Sequence, residues 1–315
     1  MRRKAIIFGI KGTRLTNSEK EILKKVNPWG VILFSRNIIN ISQLKYLVDD
    51  IKRIFNDKKY PILIDQEGGK VSRLNNLIDL SLFSQKLFGD LFIKDKNLFY
   101  HYFKIYIDSV SDIMNFVGIN INTVPVLDII RKKSHKIIRS RSFSKDPNVV
   151  LQIGKICENF YNKNKIATVM KHIPGHGLAV TDSHYSLPQI TEKKKILIKN
   201  DFKPFSVCKS LFAMTAHIIY SDYDPLYSAT HSKIIINDVI RKEIGFKGIL
   251  ISDDISMKAL KYGLENNTIM ALNAGCNIVL HCNGNINEMH KISKIVPLID
   301  KFTEKKTSHF YKFLG

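Results

Sequence analysis

The fourteen residues from Lys171 to His184, KHIPGHGLAVTDSH, hold three histidines, a lysine and an aspartate around Pro174, Gly175 and Gly177. Proline and glycine at this density exclude a regular helix, so a strand end runs here into a shaped loop. One histidine in such a loop is usually incidental to a polar surface. Three of them beside a lysine and a carboxylate point to acid–base chemistry. Asp182 and His184 stand two positions apart. A carboxylate bonded to one imidazole nitrogen fixes the tautomer and raises the basicity of the other. That suits a group that gives a proton and takes one back near neutrality. The competing reading is an Asx-type turn beside an exposed histidine.

Asp253 directly follows the apolar run GILIS at 248–252. A carboxylate at the mouth of a buried strand must be hydrogen-bonded, paired or functional. Asp254 is the better candidate for capping the helix expected from Ser256 onward. Asp253 is then free to face a pocket as a nucleophile toward an electrophilic carbon. His172 and His176 suggest a metal at first sight. Pro174 and Gly175 between them break the helical geometry that an HxxxH pair needs, so neither a metal nor a cofactor is expected. Lys171 and His172 read instead as hydrogen-bond donors to a polar substrate, and Arg73 and Arg141 as fixed donors. Asp65 reads as an acceptor for a vicinal diol or as the structural partner of an arginine. A carboxylate nucleophile, a separate proton shuttle and many hydrogen-bonding groups describe a glycosidase better than an esterase or a kinase. Retaining glycosidases hold two carboxyls ~5–5.5 Å apart; here the Asp–His pair would replace the second.

Elements able to position these groups recur along the chain. Short β-branched runs at 4–10, 30–34, 60–64, 118–122, 166–170, 211–215, 248–252 and 277–280 are predicted strands. Amphipathic patterns at 18–26, 41–55, 147–162, 233–244 and 256–274 are predicted helices, and 80–116 is expected to hold two more. Strands that are apolar throughout and alternate with helices argue for a parallel sheet covered on both faces. Eight such units fit a single closed (β/α)8 TIM-type barrel, an α/β fold, better than an open sheet. No glycine-rich dinucleotide fingerprint follows Ile10 to favour the alternative. The polar residues fall where that barrel needs them. DQEGGKVSR (65–73), TVPVLD (123–128), the histidine loop, His217 and Asp253 each follow a predicted strand, so all crowd the C-terminal mouth.

Bulk properties narrow the classes further. The 315 residues are 44% hydrophobic and 24% charged, ordinary for a globular chain, and no linker marks a boundary within 1–315. The net charge of +21 raises nucleic-acid binding, but the lysines are spread along the chain and form no basic-aromatic signature. A solvated surface without a specific nucleic-acid partner is expected. The four cysteines have no CxxC or framework spacing, which suits a reducing compartment. The apolar run after Met1-Arg-Arg-Lys is too short for a signal peptide, and no stretch spans a bilayer. A cytoplasmic, monomeric protein without a membrane partner is expected.

Taken together these motifs resemble glycoside hydrolase family 3, within it the bacterial β-N-acetylhexosaminidases of cell-wall recycling. The resemblance runs through GT (12–13), GVILFSRN (30–37), DQEGGKVSR, PVLD (125–128), RSF (141–143), KHIPGHG…DSH, MTAH (214–217), GFKG (245–248), SDDISM (252–257) and AGC (274–276). It implies that His184 with Asp182 forms the acid/base dyad and that Asp253 is the nucleophile. It assigns binding of a non-reducing N-acetylglucosamine to Asp65, Arg73, Arg141, Lys171 and His172. It further implies a retaining exo-β-N-acetylglucosaminidase acting on anhydro-muropeptides from peptidoglycan turnover. Many family members take their acid/base from a second domain, and a chain of this length leaves no room for one. Lys70 and Ile173 depart from the family's usual arginine and phenylalanine without removing a reacting group. Phosphorolysis stays open, since a histidine repels a phosphate nucleophile less than a carboxylate does; a non-catalytic sugar sensor is the other alternative.

Overall fold

The computed structural model describes residues 3–131, 136–179, 187–206 and 210–315, without the side chains of 136–138. Ten strands are present among them: β1 Lys4–Gly9, β2 Pro28–Leu33, β3 Ile62–Ile64, β4 Ile121–Asn122, β5 Ala167–Ile173, β6 Gln189–Ile190, β7 Phe212–Thr215, β8 Ile219–Tyr220, β9 Ile249–Asp254 and β10 Ile278–His281. Eight of them close a parallel barrel in the order β1-β10-β9-β7-β5-β4-β3-β2. This is the expected (β/α)8 architecture, with β1 bonded to both β2 and β10. The short pair β6 and β8 lies outside it and has no apolar run long enough to be read from sequence.

Two apolar shells hold the barrel. The outer one packs helix faces against the strands, as Leu44, Leu47, Val48 and Ile51 of helix Ile41–Phe55 do. The region 80–116 holds helices Gln85–Lys94 and Lys96–Val117, each opened by a side-chain cap, Ser84 and Asp95 respectively. The inner shell fills the barrel with Ile7, Leu63, Val169, Phe212, Met214 and Ile251 among others. The C-terminal helix Lys301–Leu314 closes its N-terminal end. Phe310 on that helix meets Phe212 at 5.6 Å edge to face, Phe212 meets Trp29 at 5.4 Å, and Trp29 Nε1 donates to Thr307 Oγ1 at 2.8 Å. The barrel floor is therefore closed by interlocking aromatic rings.

One helix differs from expectation. The pattern at 256–274 becomes a helix only over Leu264–Ala274, and 255–263 form turns. Asp254 draws the Ser256 N–H and hydroxyl onto its own carboxylate, and the Met257 N–H bonds the Asp254 carbonyl. The aspartate expected to cap a helix closes a tight turn instead, and Gly263, at φ +79°, precedes the helix that follows.

Candidate active site

The opposite end of the barrel is lined by charge. After β3 the chain forms a narrow loop in which Glu67 N–H and Gly68 N–H both bond the Val71 carbonyl. Gly68 sits at φ +92°, and an added Cβ there would lie 2.3 Å from the Phe83 carbonyl oxygen, so this turn requires glycine. Buried Gln66 holds the loop: its side-chain oxygen accepts from Arg73 N–H and Leu74 N–H, and its own N–H donates to Asn122 at the end of β4. The DQEGGKVSR segment is thus folded back on itself, and Asp65, Glu67 and Arg73 project to one side.

These groups form one ionic network with residues of other strand ends. Arg73 Nη2 donates to Asp65 Oδ2 at 2.6 Å, and Thr123 Oγ1 donates to Asp65 Oδ1 at 2.7 Å. Lys171 Nζ donates to the same Oδ1 and lies 2.6 Å from Glu67 Oε1. Arg141 grips Glu67 with both arms, Nε to Oε2 at 2.8 Å and Nη2 to Oε1 at 2.7 Å. Burial raises the Asp65 carboxyl, but Lys171 and Arg73 more than reverse this and leave it well below the usual carboxylate range. Glu67, 3% exposed, is likewise raised by burial and brought below its ordinary value by Arg141 and Lys171. Burial lowers the Arg141 guanidinium, and Glu67 outweighs it, raising the group above its ordinary value. Asp65, Glu67 and Arg141 are therefore held in their charged forms across the neutral range.

A bulge in β5 explains why consecutive residues both serve this face. Lys171 pairs with Met214 and Ile173 with Thr215, two steps on β5 against one on β7. His172 Nδ1 bonds Asp128 Oδ2 at 2.7 Å, which leaves Nε2 toward Arg141 Nη2 at 3.5 Å. Asp128, fully buried, also accepts the His176 N–H at 2.6 Å through Oδ1. Burial raises its carboxyl, and His172 brings it below its usual value. The His176 ring is pushed down to about 4 by burial, against the pull of Asp128. Tyr220 donates its hydroxyl to the Gly175 carbonyl. The base of the histidine loop is anchored at three points.

Asp253 and Asp254 divide their work as their surroundings dictate. Asp254 is spent on structure: it accepts from Ser256 and from the Cys282 N–H, and its carbonyl accepts from His217 Nε2 at 3.0 Å. Asp253 is half-buried and, among the described residues, accepts one hydrogen bond, from the Asp254 N–H to Oδ1 at 2.8 Å. Burial raises its carboxyl, and His217, His172 and Lys171 bring it below the ordinary aspartate value. An ionised carboxylate with one oxygen pinned and the other unbonded among the described residues has the chemistry a nucleophile needs.

The structure thus brings Asp65, Arg73, Arg141, Lys171, His172 and Asp253 to one mouth, linked by direct contacts or by charge. Asp65 is paired with Arg73, as one of its two readings expects. Asp182 and His184 lie outside the described residues. Sequence reasoning set Glu67, Asp128 and His217 at the mouth but gave none of them a role. Their signal was position, each at or just beyond a predicted strand end, but their role depends on partners far away in sequence. Among the described residues, no group of three or more His, Cys, Asp or Glu is placed to hold a metal ion, and no helix is long and apolar enough to cross a membrane.

Comparison with known proteins bears on this arrangement. The family model described as the glycosyl hydrolase family 3 N terminal domain matches residues 4–308. A Haemophilus ducreyi beta-hexosaminidase is 34% identical over 88% of this chain and 81% of its own length. One from Psychromonas ingrahamii is 31% identical over 97% and 88%. The crystal structure of NagZ from Neisseria gonorrhoeae in complex with N-trifluoroacetyl-D-glucosamine superposes with a TM-score of 0.87 at 28% identity, covering 100% of this chain and 90% of that one.

Proposed function

Since the chain belongs to glycoside hydrolase family 3 and is a glycoside hydrolase, we propose that it is a retaining exo-β-N-acetylglucosaminidase working by double displacement. The observation that carries the reading is Asp253: ionised, half-buried and held by one oxygen at a strand end, beside a network of fixed donors. An Asp253 oxygen attacks the anomeric carbon as the bond to the leaving oxygen breaks. His184, held by Asp182, gives that oxygen its proton. Water, losing a proton to His184, then attacks the same carbon and releases Asp253. The resemblance of the DSH residues supports the dyad, as does the anchoring of the segment that leads to it. Asp65, Arg73, Arg141, Lys171 and His172 bind the hydroxyl and acetamido groups of the terminal sugar.

The substrate proposed is N-acetylglucosaminyl-β-1,4-anhydro-muropeptide, met in the cytoplasm by a monomer whose catalytic barrel is a single domain. Support comes from the beta-hexosaminidase relatives and from the N-acetylglucosamine analogue in the NagZ complex. The test is release of an aryl leaving group from its β-N-acetylglucosaminide, with Asp253→Ala assayed in parallel. Release by the wild type and none by the variant supports reaction class and nucleophile together. A rate that requires phosphate, with formation of sugar 1-phosphate, would replace hydrolysis by phosphorolysis. No release under either condition overturns the reading in favour of a sugar sensor or a different sugar.

A further inference from the structure

A second cavity opens on the outer side of the barrel floor, at the end opposite the charged mouth. It has a volume of about 620 Å³ and is walled by the C-terminal helix, the segment before β9 and the start of β10. Its interior is built around Arg241. That guanidinium donates to the Phe246 carbonyl at 3.1 Å, the Gly248 carbonyl at 2.8 Å and Asn277 Oδ1 at 2.8 Å, and lies over the rings of Phe246 and Phe302. Its charge is thus fixed in place by contacts with four residues rather than swinging in solvent.

Around this fixed cation stand Lys247, Lys305, Lys306 and His309. Phe302, Lys305, Lys306 and His309 recur at three- and four-residue spacing, so one face of helix Lys301–Leu314 presents them together while Phe310 faces inward. Among the described residues, no carboxylate pairs with Lys247, Lys305 or Lys306. The cavity's one acidic side chain is Asp300, which caps the helix by accepting the Thr303 N–H at 2.7 Å. Lys45, Lys86, Lys104 and Lys242 each meet an aspartate one turn away on their own helices, whereas Lys247, Lys305 and Lys306 share one recess with Arg241 and a single carboxylate. A recess with a cationic rim and an aromatic wall recognises a compact polyanion bearing a planar group. The volume falls in the range of small-ligand pockets, roughly 300–1,000 Å³.

We propose that this cavity binds a nucleoside diphosphate. The diphosphate lies among Lys247, Lys305, Lys306 and His309, and the base rests against Phe302 beside the Arg241 guanidinium. The site is separate from the catalytic mouth and does not depend on the reaction proposed there.

The experiment is calorimetric titration of the full chain with ADP and, in a second arm, with inorganic pyrophosphate, both at 0.15 M salt. Saturable one-to-one binding of both is expected, with ADP several-fold tighter. The double variant Lys247→Glu/Lys305→Glu should lose at least tenfold in affinity for each, with unchanged thermal midpoint and unchanged turnover of an aryl substrate. Phe302→Ala should bring ADP down to the pyrophosphate affinity. Absence of saturable binding at millimolar ligand would overturn the proposal. So would equal affinity of the two probes in the wild type, or binding that the variants leave intact.

Discussion

The two ends of this barrel are made of the same eight strands and have opposite chemistry. At the N-terminal end Trp29, Phe212 and Phe310 interlock into an aromatic plug, with the Trp29 indole N–H satisfied by Thr307. At the C-terminal end Asp65, Glu67, Asp128 and Asp253 face Arg73, Arg141, Lys171 and His172. Burying that many charges contributes little net stability, because each ion costs desolvation that its partner only offsets. The plug, by contrast, stabilises by area and contact. The floor holds the barrel so that the mouth can be spent on chemistry.

Substitutions at the mouth should therefore cost rate and spare stability, while those at the floor do the reverse. The largest effect expected is from Asp253→Ala, a loss of about 10⁴-fold or more in kcat, with a thermal midpoint near that of the wild type. His184→Ala comes next. It should cost about 10²–10⁴-fold on substrates with poor leaving groups and far less on nitrophenyl glycosides, which need little protonation. An equal loss on both would argue against an acid role. At the floor, Phe310→Ala should remove about 3–5 kcal/mol of stability, read from denaturant unfolding, while the folded fraction keeps its kcat. A smaller effect tests the fixed charges at the mouth. Glu67→Gln should lower kcat/KM about 10–100-fold, chiefly through KM, because Arg141 and Lys171 lose the group that aims them.

Acid should act on the mouth in two steps. His176 is held down near 4 in the folded chain by burial, so the unfolded chain binds the extra proton between about pH 6.5 and 4. Stability then falls as pH drops through that window. The depressed carboxyls of Asp65, Glu67 and Asp128 contribute fully above their unfolded values, about 4, and lose that contribution only as pH falls further, through their folded values. Thermal midpoints from pH 7.5 down to about 2 should show the two steps in that order.

Much of this contrast was legible in the sequence. The eight apolar runs set the barrel, and the polar residues after them marked the mouth, because strand ends and side-chain chemistry are both local properties. The ionic partnerships were less accessible. Glu67 meets Arg141 across 74 positions and Lys171 meets Asp65 across 106, and no periodicity encodes such closures. The plug was hidden for the same reason, since Trp29 and Thr307 are 278 positions apart. The turn at 255–263 was misread as helix because its apolar spacing satisfies either structure. The competing hydrogen bonds of Asp254 decided it.

The most direct test of the central claim is to quench the enzyme in acid during turnover of an activated aryl β-N-acetylglucosaminide and to weigh its peptides. A covalent glycosyl intermediate predicts one N-acetylhexosamine added to the peptide carrying Asp253, and none in Asp253→Ala. An adduct on another residue, or full turnover without one alongside inversion at the anomeric carbon, would contradict it.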